Sequence, residues 1–471
     1  MNLSHEPYFI VGIKGMAMAN IAVILRSMGI QVTGSDTPDT QPTDILLRQH
    51  GISWTDGFDP SDLSHATRNV IYAASHKGKD NPQVVEAHKR GITVIHQATF
   101  LGHLMADFDE SVAVCGCHGK TTTSSLLAYA LSKLNAKPSW LVGAPSFNEY
   151  WGGAYEGSSY FVIEADEYAI DPPHDRTPKL LSLHPDYALC LNIDFDHPDV
   201  YKNLEATKDT FKAFFHQTNK KVIGCGEDVN TMDVLQSFPK EKYLSYGFDA
   251  RHDLVLSEIR YEELSSSFRV TYEGHDRGVF TTSLFGEKNV LNAGGVILLL
   301  FELGFTSDQV RDAVRYFTGA KRRFEFIANE NGIYLFDDYG HHPHELEALT
   351  QAARSRFPDK RIILIFQPHT YTRTAQMKYE FAEVLSKADM VLMPPIFGSA
   401  REQVQASVSS YDIVTAANKK NIHSVHAFDS NGDTLQFLRK KIKPGDVIFT
   451  VGAGDVYKMG DAVIEVMKQV Q

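Results

Sequence analysis

The run Cys115-Gly116-Cys117-His118-Gly119-Lys120-Thr121-Thr122-Thr123 combines glycines, a lysine and a series of hydroxyls, the residue types that hold a polyphosphate. Backbone N–H groups of a glycine loop ahead of a helix can surround an anion. Lys120 can reach the terminal phosphates, and Thr121 offers a hydroxyl to Mg²⁺. The spacing is G-x-x-G-K-T, with Val114 where the common phosphate-loop pattern has its first glycine. A Gly-Lys-Thr turn that merely starts a helix is the plainer account. The flanks favour phosphate: Ser111–Val114 reads as a buried strand and Ser124–Leu131 as a helix. The expectation is a nucleoside triphosphate site.

Two further apolar runs end in groups that suit the same chemistry. Tyr160–Ile163 leads into Glu164-Ala165-Asp166-Glu167, and Tyr187–Ile193 leads into Asp194-Phe195-Asp196-His197. Ligands of open α/β sheets gather at the carboxyl ends of strands. Either Glu164 or His197 alone would read as a solvated strand end. Together with the loop they are expected to converge on one nucleotide.

The elements that position these groups fall into three blocks. In the first, Phe9-Ile10-Val11-Gly12-Ile13-Lys14-Gly15 is strand then turn, Ile21, Leu25 and Met28 recur at helical spacing, and Gln31–Asp36 is the next strand. This βαβ unit ends in an acid suited to a ribose hydroxyl, but Ile10 replaces the first glycine of the dinucleotide fingerprint, so a nicotinamide dehydrogenase is disfavoured. The second block carries the phosphate loop. The third alternates strand and helix again: Gly332–Phe336, a helix after Pro343, then Arg361–Phe366, Met390–Met393 and Val447–Val451. Its strand ends carry Asp337-Asp338-Tyr339-Gly340-His341-His342-Pro343 and Gln367-Pro368-His369-Thr370-Tyr371-Thr372-Arg373, which suggests a substrate pocket.

Composition bounds the rest. A chain of 471 residues suits about three domains, at ~150 residues each. It is 43% hydrophobic and 22% charged, as expected of a soluble globular protein. A net charge of −12 disfavours nucleic acid or an anionic membrane as the main partner. The longest apolar run, Val296–Phe301, is too short to span a bilayer, and Met1–Pro7 lacks the basic region of a signal peptide. The four cysteines, Cys115, Cys117, Cys190 and Cys225, form no Cys-x-x-Cys pair and fit a reducing cytoplasm.

Taken in order, the motifs resemble the ATP-dependent Mur ligases of peptidoglycan synthesis over essentially the whole chain. The resemblance is carried by Gly12-Ile13-Lys14-Gly15 with Gly34-Ser35-Asp36, His118-Gly119-Lys120-Thr121-Thr122, Glu164-Ala165-Asp166-Glu167, Asp196-His197, Gly286-x-x-Asn289-x-x-Asn292, Arg322-Arg323-Phe324, and the two strand-end runs of the third block. It implies an α/β fold in three domains: residues 1–108, Rossmann-like and UDP-sugar-binding; 109–320, a P-loop ATPase domain; and 321–471, Rossmann-like and amino-acid-binding. It also implies ATP and Mg²⁺, and small-molecule substrates, with monomer or homodimer left open.

By the same resemblance, Gly12, Lys14, Gly15, Ser35 and Asp36 belong to the UDP-sugar site. Gly116, His118, Gly119, Lys120, Thr121, Thr122 and Arg323 hold the phosphates, Asn289 and Asn292 face adenine, and Asp338 faces ribose. Thr121 and Glu164 take one metal and His197 a second. Lys120, His197 and Arg323 act in catalysis, and Tyr339, His341, His369 and Arg373 bind the amino acid. The C-terminal motifs lean toward members that join L-alanine to UDP-N-acetylmuramate. The extension Asp171–His184 and the wording Glu164–Tyr168 lean toward the recycling members that use the tripeptide L-Ala-γ-D-Glu-meso-diaminopimelate. A Mur-like nucleotide-binding protein without activity is the alternative of another class. Thr370 stands where many L-alanine-type members have arginine, Lys288 where histidine is common, and the carbamylated lysine of other members has no clear counterpart, although Lys208 and Lys212 lie nearby.

Overall fold

Apolar runs alternate with helical periodicity through much of the chain, and the computed structural model resolves them, among the described residues, into three large parallel or mixed sheets with helices against them, beside one two-stranded sheet. It describes residues 3–41, 43–171, 174–197, 199–262, 265–398 and 407–470. Met1 and Asn2, in the signal-peptide reading, and Pro172 and Pro173, in the extension, lie outside the described residues. The chain divides into two compact units, Met1–Thr318 and Gly319–Gln471.

Among the described residues, the first unit holds two large sheets and a two-stranded one. A five-stranded parallel sheet has the order Ser53–Asp56, Val32–Asp36, Tyr8–Val11, Asn69–Tyr72, Thr93–His96. The second sheet has ten strands. At its centre, Lys221–Cys225, Tyr187–Cys190, Glu110–Cys115, Tyr160–Ala165 and Pro138–Phe147 run parallel. Register pairs Cys190 with Cys115 and Cys115 with Ala165, so the segments that follow all leave the sheet at one edge.

The two sheets share a core. Helix Met16–Ser27 is buried from Met18 through Leu25, more than one face of the helix, which suits an element sandwiched between layers. Asn20 of this helix donates from Nδ2 to the Val142 carbonyl at 2.9 Å, in the second sheet. The approach depends on Gly153: a Cβ there would lie 2.6 Å from that of Asn20. A long-range apolar seam of this kind ties the first block of sequence to the second.

Two strand and helix limits differ from the sequence expectation. The third apolar run stays in the ladder only to Cys190, because Asn192 turns its amide onto the phosphate loop. The loop helix begins at Lys120, four residues earlier than the apolar periodicity suggests, since its first turn is polar and faces the loop. Within the extension Asp171–His184, the strand Asp175–Pro178 pairs antiparallel with Ala169–Asp171.

The second unit is a six-stranded sheet in the order Glu325–Glu330, Ile333–Asp338, Val447–Val451, Ile362–Phe366, Met390–Met393, Val425–Ala427. All neighbours are parallel except the first pair. Apolar clusters cover the two sides of this sheet, one built on Phe336, Leu364 and Phe449, the other on Leu335, Ile363 and Ile448. That alternation along each strand is the period-two signature of a sheet buried on both faces.

Candidate active site

The loop after Glu110–Cys115 turns at Gly116, φ +130°, and Gly119, φ +88°, backbone angles that favour glycine. Gly119 caps helix Lys120–Lys133, whose first residues Lys120, Thr121 and Thr122 present N–H groups without intrahelical acceptors. The loop is braced from the neighbouring strand end: Asn192 accepts from the His118 N–H and donates to the His118 carbonyl, both at 2.9 Å. The Cys117 thiol is buried against the Asp194 carbonyl at 3.2 Å, and burial pushes its pKa well up. All four cysteines are free thiols.

Glu164 stands beside the loop, as expected from register. It accepts from the Gly143 N–H at 2.6 Å, from Thr121 Oγ1 at 3.2 Å and from Ser124 Oγ at 3.3 Å. A hydroxyl and a carboxylate side by side are hard oxygen donors that fit Mg²⁺. His197 lies 3.3 Å from Glu167 and 3.8 Å from Asp196. One ligand atom from each of Glu167, Asp196 and His197 lies within 4.8 Å of the others, so a second divalent ion also fits the residues present.

Lys120 donates to the Gly116 carbonyl at 2.5 Å and to Glu167 Oε2 at 2.7 Å. Burial alone would lower its pKa; Glu167 and then Asp166 outweigh that and hold it firmly charged. Burial likewise opposes charge on Glu167 and His197, but Lys120 keeps Glu167 below the ordinary carboxylate range and Glu167 keeps His197 above the ordinary imidazole range. Asn292 packs on the loop: a Cβ on Gly119 would meet its Nδ2 at 2.9 Å. Asn289, on the same helix Glu287–Glu302, donates to the Phe285 carbonyl at 2.8 Å. Lys208 pairs with Asp233 at 3.0 Å.

Gly12, Lys14, Gly15, Ser35 and Asp36 come together at the carboxyl ends of the first two strands, where Val11 pairs with Ser35. Asp36 accepts from the Lys14 N–H at 2.7 Å and lies 3.6 Å from His76. Lys14 Nζ donates to the Asp39 carbonyl at 2.6 Å, and Ser35 donates to Gln83 at 2.5 Å. Lys14, Ser35 and Asp36 are buried, and Gly15 is the exposed residue of the turn.

In the second unit, Arg322 and Arg323 have different surroundings. Arg322 pairs with Asp337 at 3.0 Å, donates to the Gly452 carbonyl at 2.6 Å and lies over the rings of Tyr339 and Tyr457. Arg323 lies over Tyr339 and 3.9 Å from Glu345. Asp338 accepts from the Phe324 and Gly340 N–H groups at 2.8 and 2.7 Å, and burial raises its pKa to about 6. Burial opposes charge on Glu345 too, but His341, Arg323 and the N–H groups of His341 and His342 bring its pKa down to about 2.

The His341 ring meets those of Tyr339 and His369 edge-on, at 5.5 and 5.8 Å. Arg373 lies on the first turn of helix Tyr371–Leu385, capped by Thr370, whose φ of +70° bends the chain into the helix. The Nη1 of Arg373 is buried with no hydrogen-bond partner among the described residues.

Sequence reasoning nominated neither Glu167 nor Asn192 as a site residue. Glu167 was visible as a second acid three residues after Glu164, and Asn192 as one amide in an otherwise apolar run.

A mainly parallel α/β chain with a phosphate loop and metal-ready acids defines a nucleotide-using enzyme class. The family models described as Mur ligase family, catalytic domain, Mur ligase middle domain, and Mur ligase, glutamate ligase domain match residues 7–109, 114–300 and 322–454. The UDP-N-acetylmuramate–L-alanine ligase of Lactobacillus helveticus is 35% identical over 97% of this chain and 98% of its own. That of Pediococcus pentosaceus is 36% identical over 97% of each. Among solved structures, the UDP-N-acetylmuramate-alanine ligase of Thermotoga maritima superposes with a TM-score of 0.79 at 26% identity, covering 98% of this chain and 99% of that one. A murein peptide ligase of Psychrobacter arcticus shares the fold, with a TM-score of 0.71 at 23% identity over 99% of both chains. The chain belongs to the Mur ligase family. Among the described residues no helix is long and apolar enough to cross a membrane.

Proposed function

We propose that the protein is an ATP-dependent ligase that joins L-alanine to UDP-N-acetylmuramate in the cytoplasm, for peptidoglycan precursor synthesis. The observation that carries the choice of an amino acid is Arg373, whose buried Nη1 has no hydrogen-bond partner among the described residues and whose charge acts on His341, the ring that meets His369. A planar guanidinium donates two parallel hydrogen bonds to a carboxylate. The curated relatives, named for L-alanine and matching along nearly the whole chain, support the same reading. We divide the chain by role into 1–108 for the UDP-sugar, 109–320 for ATP and 321–471 for the amino acid.

A carboxylate is a poor acyl donor. Transfer of the γ-phosphoryl group from ATP to a carboxylate oxygen gives an acyl phosphate and ADP. The free amine then attacks the carbonyl carbon, and the tetrahedral adduct expels phosphate, leaving the amide. Two anions must meet in the first step, so fixed positive charge is the main requirement. Lys120 and Arg323 supply it from the protein, with the loop residues Gly116, His118 and Gly119 and the N–H group of Thr122 around the phosphates. Asn289 and Asn292 face adenine, and Asp338 ribose. The main chain around Gly12, Lys14 and Gly15, backed by Ser35 and Asp36, faces the UDP-sugar. Tyr339, His341 and His369 wall the amine pocket. Thr121 with Glu164, and His197 separately, are the residues to hold Mg²⁺, which when bound screens the repulsion between phosphate and carboxylate.

The test is an acceptor screen. Purified protein is given ATP, Mg²⁺ and UDP-N-acetylmuramate with L-alanine, glycine, L-serine or L-Ala-γ-D-Glu-meso-diaminopimelate, and phosphate release and product mass are measured. The expected result is a product with L-alanine. Product with the tripeptide alone transfers the assignment to the recycling reaction, toward which the extension Asp171–His184 leans. No phosphate release with any amine overturns the ligase reading in favour of a binding protein.

A further inference from the structure

Glu167 is 1% exposed and stands between two residues already singled out for chemistry. One carboxylate oxygen accepts from Lys120 at 2.7 Å, and the other lies 3.3 Å from His197 Nε2. Lys120 also donates to the Gly116 carbonyl, so its ammonium is folded back into its own loop. A buried carboxylate needs a cation beside it, or its charge is unsupported. Lys120 meets that need in this structure. Yet Asp196 and His197 complete, with Glu167, a set of ligand atoms within 4.8 Å of one another. Two carboxylates and an imidazole suit a divalent cation, and the Lys120 ammonium is hydrogen-bonded to one of those carboxylates.

We infer that Lys120 and a divalent cation are alternative partners of Glu167, exchanged when a triphosphate enters the loop. Before nucleotide binds, Lys120 neutralises Glu167, and its positive charge keeps the Glu167–Asp196–His197 set from filling. A triphosphate draws the ammonium toward its own oxygens and leaves Glu167 uncompensated. A divalent cation held by Glu167, Asp196 and His197 then restores the balance. Glu167 is thus a positioning residue: it stores Lys120 and then helps hold the ion that replaces it. The exchange brings metal and lysine charge to the phosphates together, and it blocks metal loading of a loop without nucleotide. The inference rests on the phosphate-binding reading of Lys120 and is independent of which amine is the acceptor.

The test uses the full chain and Mn²⁺ as probe, with binding read by electron paramagnetic resonance in the absence of nucleotide. Removing a unit charge this close should change cation affinity by about tenfold or more. Lys120→Met is expected to bind one Mn²⁺ at least about tenfold more tightly than the parent, and Lys120→Met/Glu167→Gln to lose that gain. No gain in Lys120→Met, or a gain that survives Glu167→Gln, overturns the exchange. A second arm covers a Lys120 variant that fails to fold. Glu167→Gln alone, in EDTA, is expected to bind a fluorescent ATP analogue several-fold more tightly than the parent, because its lysine is released. It is also expected to lose the parent's Mn²⁺-dependent enhancement of that binding. Weaker metal-free binding in Glu167→Gln would mark a merely structural role and contradict the inference. A parent that binds no ATP contradicts the phosphate reading and, with it, the nucleotide half of the exchange, while the Mn²⁺ arm reads the other half without nucleotide.

Discussion

The phosphate-loop end of the ten-stranded sheet and the carboxyl edge of the C-terminal sheet are built alike and charged differently. Both gather polar side chains where parallel strands end. At the first, the charges are satisfied from within: Lys120 by Glu167 and the Gly116 carbonyl, and Glu164 by Gly143, Thr121 and Ser124. At the second, Glu345 is satisfied by two N–H groups, but Arg373 keeps a buried nitrogen with no partner among the described residues. A polyanion entering the loop must displace an existing partner. A single carboxylate entering the Arg373 pocket supplies a missing one. The first arrangement favours control of charge, the second favours selection.

The largest effect tests the loop side. Lys120→Met should lower turnover by at least about 10²-fold, as removal of a transition-state charge partner does, while calorimetry shows UDP-N-acetylmuramate binding nearly unchanged. Near-normal turnover would remove Lys120 from the chemistry. On the pocket side, a charge-assisted hydrogen bond contributes about 1.5–3 kcal/mol, so Arg373→Ala should raise the KM for L-alanine by roughly 10–10²-fold. The constants for ATP and UDP-sugar should stay put, and Arg373→Lys should restore only part, because lysine lacks the planar fork. Equal changes in all three constants would make Arg373 a structural residue.

Asn192→Ala removes two hydrogen bonds that brace the His118 main chain. At about 1 kcal/mol each, the KM for ATP should rise by up to roughly thirtyfold, with the L-alanine constant unaffected. The smallest effect concerns acid stability. Glu345 has a folded pKa of about 2, below the ordinary glutamate value of 4.5, so the stability it adds is fully present above pH 4.5 and is lost as pH falls toward about 2. Asp338 has the opposite sign: its pKa of about 6 lies above 3.8, so its contribution is present in acid and is lost as pH rises through 6. Glu345→Gln should flatten the acid limb of the unfolding curve between pH 4.5 and 2, and Asp338→Asn the slope between 4 and 6. An unchanged acid limb in Glu345→Gln would contradict the assignment.

The parts of this picture legible in sequence were those with a local cause. Glycines at 116 and 119 marked a turn that other residues enter at a steric cost, and apolar runs at Glu110–Cys115, Tyr160–Ala165 and Ile362–Phe366 marked strands buried on both faces. The convergence of Glu164 and His197 on the loop followed from parallel strands sharing one carboxyl edge. What stayed hidden depends on distant partners. Glu167 is indistinguishable from a solvated acid until Lys120 and His197 are seen on either side of it. Asn192 reads as the tail of a strand until its amide is seen on His118. The seam of Asn20 on Gly153 joins residues too far apart for periodicity to connect. Asp36 reads in the sequence only as an acid at a strand end; that its carboxylate accepts from the Lys14 and Thr37 N–H groups is visible in the structure alone.

In the proposed reaction, ATP activates the sugar carboxylate as an acyl phosphate before the amine attacks. It is tested most directly with UDP-N-acetylmuramate carrying ¹⁸O in the lactyl carboxylate, ATP, Mg²⁺ and L-alanine, followed by mass analysis of the released phosphate. The carboxylate oxygen that attacks phosphorus leaves with it, so one labelled oxygen per turnover should appear in inorganic phosphate, and ADP should be the only nucleotide product. Unlabelled phosphate, or AMP with pyrophosphate, would contradict the account.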